Sequence, residues 1–272
     1  MNELSKRLIT GSLYVIVLTA AIVYGPWSLA ILFLAFALCG LYEFQRMASV
    51  LKFKAQNFAS YTATIVLFIS GSGAYLFPEV DFPFIKLALL LLPIYILILL
   101  QNLFGHEKLK LENAAISMSA LFYVSLPFAL AVPVSYFHGT YHWEILLGTF
   151  IMIWSSDSFA FVTGKMFGRT KLFERISPKK TWEGFIGGTI LTIAASFAVS
   201  YFFGVLSPMQ WAGLGFIAAV FGTLGDLVES MFKRQSGVKD SGTILPGHGG
   251  ILDRLDSYML AIPLVYVYLS FL

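Results

Sequence analysis

The sequence predicts an all-α, polytopic integral membrane protein with about nine transmembrane helices, its N-terminus inside and its C-terminus outside. Three observations carry this reading. First, 58% of the 272 residues are hydrophobic and only 12% are charged. A soluble domain has about twice that charged share, and a globule of this size cannot hide so much apolar surface. Second, nine apolar stretches approach the roughly 20 residues that cross about 30 Å of hydrocarbon as a helix. Third, the basic residues alternate along the chain in phase with those stretches.

The stretches are 8–24, 28–44, 58–77, 84–104, 114–137, 144–164, 184–206, 211–229 and 255–272. The first follows Met1–Arg7 and resembles a signal peptide, but its apolar run exceeds the usual 7–15 residues or so. No small-x-small cleavage pattern precedes Gly25-Pro26, so it reads as an uncleaved first span. Runs such as Leu87–Leu100 are apolar on all sides and lack the alternation of a barrel strand. Pro93, Pro127, Pro133 and Pro263 fall inside spans and predict kinks, because membrane helices tolerate proline.

With the N-terminus placed in the cytoplasm, every Lys and Arg except Lys86 falls on an inside segment. The connections near Gly25–Trp27, Pro78–Pro83, His138–Trp143 and Ser207–Gln210 contain none. A wrong span count would scramble this parity. Disordered, fibrous and disulfide-stapled classes are excluded by the same composition. The single Cys39 can form no intramolecular disulfide. A net charge of +3 is too small to point to nucleic acid.

The two longest polar stretches, 165–183 and 230–254, both fall inside, and the informative acids flank them. Asp157 lies within the sixth span, where a carboxylate must be paired, hydrated or bound to a cation; an internal hydrogen bond between helices would also satisfy it. Asp226 and Glu229 stand at i and i+3 near the inner end of span eight, and Asp253 and Asp256 repeat the spacing at the start of span nine. That spacing puts each pair on one helix face. Two pairs brought to one membrane face suggest a divalent-cation site with oxygen ligands, as magnesium prefers. Interhelical ion pairs with Arg254, Lys233 and Arg234 are the alternative.

Between the pairs, Gly247, Gly249 and Gly250 can present backbone N–H groups to an anion. Lys233, Arg234, Lys239 and Arg254 supply positive charge, and His248 could donate to a phosphate. Together these read as metal–polyphosphate chemistry. There is no P-loop and no nucleophile elbow. In Ser177-Pro-Lys-Lys-Thr-Trp-Glu-Gly184, Lys179, Lys180 and Trp182 suit an anionic lipid headgroup or a nucleotide, or an ordinary basic flank with a belt tryptophan.

At these residues a resemblance is plain. Ser230-Met-Phe-Lys-Arg, Lys239-Asp240 and Leu245-Pro-Gly-His-Gly-Gly-Ile-Leu-Asp-Arg-Leu-Asp256 resemble the signature of the phosphatidate cytidylyltransferases, or CDP-diacylglycerol synthases. Ser177–Gly184, Asp157–Gly164 and Phe167-Gly168 are similar to further blocks of that family. The resemblance is dense from about residue 150 onwards. Before that, length and hydropathy alone support the reading of 1–272 as a single membrane domain, with less informative helices in 1–143 and an expected catalytic half in 144–272.

The resemblance implies magnesium-dependent conversion of CTP and phosphatidate to CDP-diacylglycerol and pyrophosphate, with one or two metal ions. It implies a multi-pass homodimer among membrane lipids, expected in a bacterial inner membrane, and the alternation of basic residues puts its site on the cytoplasmic side. Asp226 and Asp253 are then expected to hold the metal centre, with Glu229, Asp256 and Asp157 in support. Lys239, Arg254 and His248 are expected to face the CTP phosphates. Ser177, Lys179, Lys180, Trp182, Lys233, Arg234, Asp240 and the three glycines are expected to line the substrates' approach. A CTP-dependent lipid kinase and a cation-coupled transporter are the competing classes. Acids gathered towards one face and the lack of repeated halves weigh against the transporter.

Overall fold

The computed structural model describes residues 3–105, 108 and 110–272, with side chains from residue 8 onwards. Met1, Asn2 and the side chains of Lys6 and Arg7, which belong to the first inside segment of the charge argument, lie outside the described residues.

Helix α1 (Glu3–Tyr24) ends at Gly25, whose φ of 146° is open to glycine. Pro26 then opens α2 (Pro26–Val50) at the position where a missing N–H costs nothing. Ser28 ties the corner by donating to the carbonyls of Ala21 (2.7 Å) and Gly25 (2.8 Å). Helix α3 (Asn57–Leu76) follows, then a 3₁₀ stretch Phe84–Leu90 that runs into α4 (Leu91–Phe104), with Pro93 in the first turn of α4.

The predicted kink at Pro127 is a change of helix type. After α5 (Lys110–Ala120) the chain widens into a π-turn at Leu121–Ser125, then continues as α6 (Leu126–Ala129) and α7 (Ala131–Val134). Pro127 offers no N–H to the turn before it, so the ladder shifts there. Pro263, in contrast, sits inside α11 (Leu252–Ser270) without a break; the non-helical residue of α11 is Leu255, with φ −124° and ψ 16°.

The remaining long helices are α8 (Trp143–Phe167), α9 (Trp182–Phe203) and α10 (Pro208–Gln235). A Ser207–Gln210 capping box starts α10. Two small antiparallel hairpins qualify the all-α expectation. One pairs β1 (Tyr136–Phe137) with β2 (Thr140–Tyr141). Its turn, His138-Gly139, takes positive φ at both residues, 49° and 80°, as a tight two-residue turn requires. The other pairs β3 (Lys171–Phe173) with β4 (Ser177–Thr181) in the long polar segment between α8 and α9.

Seven helical segments among the described residues are long and apolar enough to cross a membrane: 26–50, 57–76, 84–104, 110–134, 143–167, 182–203 and 208–235. The apolar part of α1, Leu8–Tyr24, is shorter. Helix α11, which carries Asp253, Arg254 and Asp256 in its first turns, is not among the seven. Exposed side chains such as Ile9, Ile16, Leu92, Ile96, Ile190 and Phe202 cover the outside of the bundle, as lipid contact demands.

Two packing features position the polar end. Phe33, Phe128, Phe150 and Tyr258 meet where α2, α6, α8 and α11 converge. Tyr258 stacks on Phe150 at 5.4 Å, and its hydroxyl donates to the Pro127 carbonyl at 2.9 Å. Glycines set the helix separations. A side chain at Gly188 would strike the Ala160 backbone of α8, and one at Gly225 would strike the Asp256 carbonyl of α11. Small residues let membrane helices approach this closely, so α10 and α11 touch where their acids lie.

Tyr258 should therefore dominate the core's stability. Tyr258→Ala should cost about 3–5 kcal/mol, the scale for a buried aromatic, and Tyr258→Phe about 1 kcal/mol for one hydrogen bond. Heating in detergent and following the monodisperse gel-filtration peak should rank them in that order; equal losses would contradict the stacking account.

Candidate active site

Asp226 and Glu229 project from one face of α10, as their spacing predicts. Asp256 of α11 joins them, and one carboxylate oxygen from each lies within 4.8 Å of the other two. Glu229 is fully buried, and its Oε1 has no hydrogen-bond partner among the described residues. Asp226 Oδ1 accepts from Ser230 Oγ at 3.1 Å, and Asp256 Oδ1 accepts from the Ser257 N–H at 2.6 Å. Three oxygen donors with an orphaned buried carboxylate oxygen fit a hard divalent cation.

Two ammonium groups border this cluster. Lys180, from β4, pairs with Asp226 Oδ2. Lys233 pairs with Glu229 one turn back and with Asp253 Oδ1 at 2.8 Å. Asp253, expected to share the metal centre with Asp226, thus stands outside the three-carboxylate cluster, joined to it through Lys233. Its Oδ2 accepts from the N–H groups of Ser241 and Gly250, both at 2.8 Å, and from Ser241 Oγ at 2.9 Å. The carboxylate closes the 241–250 loop on itself.

The glycines serve that closure. Gly247 and Gly249 adopt φ of 78° and 85°, and a side chain at Gly249 would strike the Asp253 carboxylate. The Gly250 N–H, one donor of the expected anion nest, is taken by Asp253. His248 lies on the same loop, with its imidazole against Gly11 of α1. Arg254 is exposed, and Arg234 Nε reaches the Ile176 carbonyl at 3.5 Å, linking α10 to the turn before β4.

Beside the cluster lies a cleft of about 380 Å³ between α8, β4, α9 and α10. Asp157, Lys165, Lys179, Lys180 and Asp226 supply its charge, and Phe161 and Phe185 its apolar wall. The local fold explains this. Thr181 caps α9 by accepting from the Gly184 N–H at 3.2 Å, and Glu183 accepts from the N–H groups of Arg169 and Thr170 at 3.1 Å. Both hold the hairpin so that Lys180 meets Asp226 and Lys179 lines the same cleft. Ser177 and Trp182 are not among the lining residues; Trp182 is 46% exposed and edges onto Phe185. Lys239 and Asp240 line a separate cavity of about 260 Å³ with Arg46, Ser241 and Thr243.

One participant escapes the sequence reading. Glu43, in the last third of α2, is 0% exposed. Its Oε1 accepts from the Ile251 N–H (3.0 Å), and its Oε2 from the Leu252 N–H (2.9 Å) and Ser241 Oγ (3.1 Å). The signal was faint: Glu43 is an acid flanked by Tyr42 and Phe44 at the inner end of the stretch 28–44, where an ordinary boundary charge would also fall.

The sequence profile described as "Cytidylyltransferase family" matches residues 5–272. A protein of Bacillus subtilis (strain 168) named phosphatidate cytidylyltransferase is 34% identical over 283 residues, covering 99% of each chain. One of Staphylococcus haemolyticus with the same name is 32% identical, covering 97% of this chain and 98% of the relative. Proteins so named in Staphylococcus aureus, for example in strain COL, are 41% identical over 177 residues, 64% of this chain and 65% of theirs. The chain belongs to the cytidylyltransferase family.

Proposed function

We propose that this chain is a phosphatidate cytidylyltransferase, joining the phosphate of phosphatidate to the α-phosphorus of CTP and releasing pyrophosphate. One observation carries the reading: Asp226 belongs both to the three-carboxylate cluster and to the lysine-lined cleft. A cation site for a triphosphate and an anion site for a lipid phosphate thus share a residue. The names of the near-full-length relatives agree.

The chemistry asks little of a side-chain nucleophile. A phosphate monoester is already an anion at neutral pH, so no activated Ser or Cys is needed. The barrier lies in bringing two anions together and in the charge of the departing pyrophosphate. Lys179 and Lys180 would receive the lipid phosphate at the cleft, with Phe161 and Phe185 against the glycerol and upper acyl chain. Lys233, held between Glu229 and Asp253, would present its charge beside the triphosphate. Lys239 and Arg254 would attract CTP from the cytoplasm, and His248 and the glycine loop would border its phosphates. Asp226, Glu229 and Asp256 would hold magnesium, while Asp157 in the adjoining cleft and Asp253 beyond Lys233 would add carboxylate charge at its border. Bound there, magnesium supplies charge neutralisation to the triphosphate and its leaving group.

The reading includes a homodimer in a bacterial inner membrane, with nine spans, the N-terminus and the site in the cytoplasm, and 144–272 as the catalytic half of one domain. The alternation of basic segments supports that orientation. In intact cells carrying Cys39→Ala, an impermeant thiol reagent should label Leu272→Cys and spare Lys171→Cys. The reverse pattern overturns the orientation.

The reaction itself is tested by which phosphorus enters the lipid. Purified protein with magnesium and phosphatidate should incorporate label from α-labelled CTP and none from γ-labelled CTP. Diacylglycerol, which lacks the nucleophilic phosphate, should not replace phosphatidate. Incorporation of the γ label would make the protein a kinase instead.

Asp226→Asn and Asp256→Asn keep size and remove charge. Each should lower kcat/KM at least about a hundredfold, the scale of about 2.7 kcal/mol of lost electrostatic stabilisation, and raise the magnesium needed for half-maximal rate. The gel-filtration profile should not change. Near-normal kinetics in both variants would remove the cluster from the site.

A further inference from the structure

Glu43 is remote in sequence from every residue assigned above, and it is a fully buried carboxylate in a membrane-spanning helix. Such a group is costly unless its oxygens are satisfied. Here both are, and all three donors come from the loop and helix start that carry Asp253. Helix α11 has no capping side chain of its own; Ile251 stands at its N-cap. Glu43 takes over that role from another helix by accepting the Ile251 and Leu252 N–H groups, which the first turn leaves without helical partners.

The contacts run on towards the carboxylate cluster. Ser241 Oγ lies 3.1 Å from Glu43 Oε2 and 2.9 Å from Asp253 Oδ2, so one hydroxyl is shared by the two carboxylates. Asp253 Oδ1 lies 2.8 Å from Lys233, which also pairs with Glu229. The surrounding glycines fit the same path. A side chain at Gly242 would strike the Glu43 carboxylate, and one at Gly250 would strike both Glu43 and Ser241. The loop is built to close on Glu43.

We propose that Glu43 is a positioning residue of the reaction, acting through Ser241 to set Asp253, Lys233 and the glycine loop where CTP and its cation are held. It touches neither substrate. The inference rests on the cytidylyltransferase reading for its substrates, but its structural half does not depend on them. The lysine cleft of β4 is held by Thr181 and Glu183, so Glu43 should govern CTP and leave phosphatidate alone.

Glutamine at position 43 keeps the volume but can accept at only one of its two terminal atoms, so one N–H of Ile251 or Leu252 faces another donor. Ser241→Ala leaves Glu43 both amide partners and breaks only the link to Asp253. In Glu43→Gln, hydrogen exchange over 241–252 should accelerate, while exchange over 169–181 stays as in the unaltered protein. The KM for CTP should rise about tenfold, within the range seen when the support of a metal site is removed, with the KM for phosphatidate within about twofold. Ser241→Ala should raise the KM for CTP likewise, and the double variant should be no worse than the worse single one, since both break one path.

Unchanged exchange over 241–252 in Glu43→Gln overturns the proposal, as does an unchanged KM for CTP in Ser241→Ala or strictly additive effects. If Glu43→Gln does not fold, Ser241→Ala alone decides. If the unaltered protein transfers no cytidylyl group, the functional reading fails, and the exchange comparison still judges the role of Glu43 in the loop.

Discussion

Crowding carboxylates at the end of an apolar helix bundle is the constraint on which the rest of the structure depends. Asp226, Glu229, Asp253 and Asp256 are gathered where α10 meets α11, against the ammonium groups of Lys180 and Lys233. Lys233 is the pivot, because it pairs with Glu229 on its own helix and with Asp253 on α11. A buried pair of this kind is held at a desolvation cost, and losing one partner strands the other charge. The surrounding fold keeps that geometry. Gly225 lets α11 come close, Asp253 ties the loop, and Glu43 ties the loop to α2.

Much of this was legible in the sequence, and the failures are instructive. Asp226 and Glu229 share a face because α10 is regular through them, so the i, i+3 argument holds. The same spacing places Asp253 and Asp256 differently. Leu255, between them, has φ −124° and ψ 16°, which rotates the helix out of phase. Asp256 therefore joins the cluster while Asp253 turns to Lys233 and the loop. No residue type marks that break; Glu43 and Asp253 hold the turn just before it. Spacing on a helix predicts a shared face only where tertiary contacts leave the helix regular.

Other elements divide along the same line. The positive φ of Gly247 and Gly249 and the close approach at Gly188 and Gly225 give the glycines local work, in the loop and between helices respectively. The β3–β4 hairpin had no alternating pattern to reveal it, because Lys171–Phe173 and Ser177–Thr181 bury little. It is fixed by Glu183 and Thr181 from the start of α9. Its consequence is large, since it turns a basic flank that charge counting alone explains into the roof of a cleft over Asp226.

The N-terminal helices carried no motif, yet they reach the site. Glu43 does so through the loop. Beside it, Phe44 packs edge-on against Phe232 at 5.6 Å, and Tyr123 closes the triangle at 5.9 Å and 5.1 Å. Phe232 precedes Lys233, and Tyr123 sits in the π-turn that Pro127 forces on its helix. Such turns redirect a side chain by widening the helix, and here the redirected ring fills the space between α2 and α10. The apolar wedge and the carboxylate clamp thus lie on neighbouring residues of α2, one fixing the approach of α10 and the other the start of α11. Lys233 can bridge those two helices only while both separations are kept, which is why a half without catalytic motifs is still part of the site.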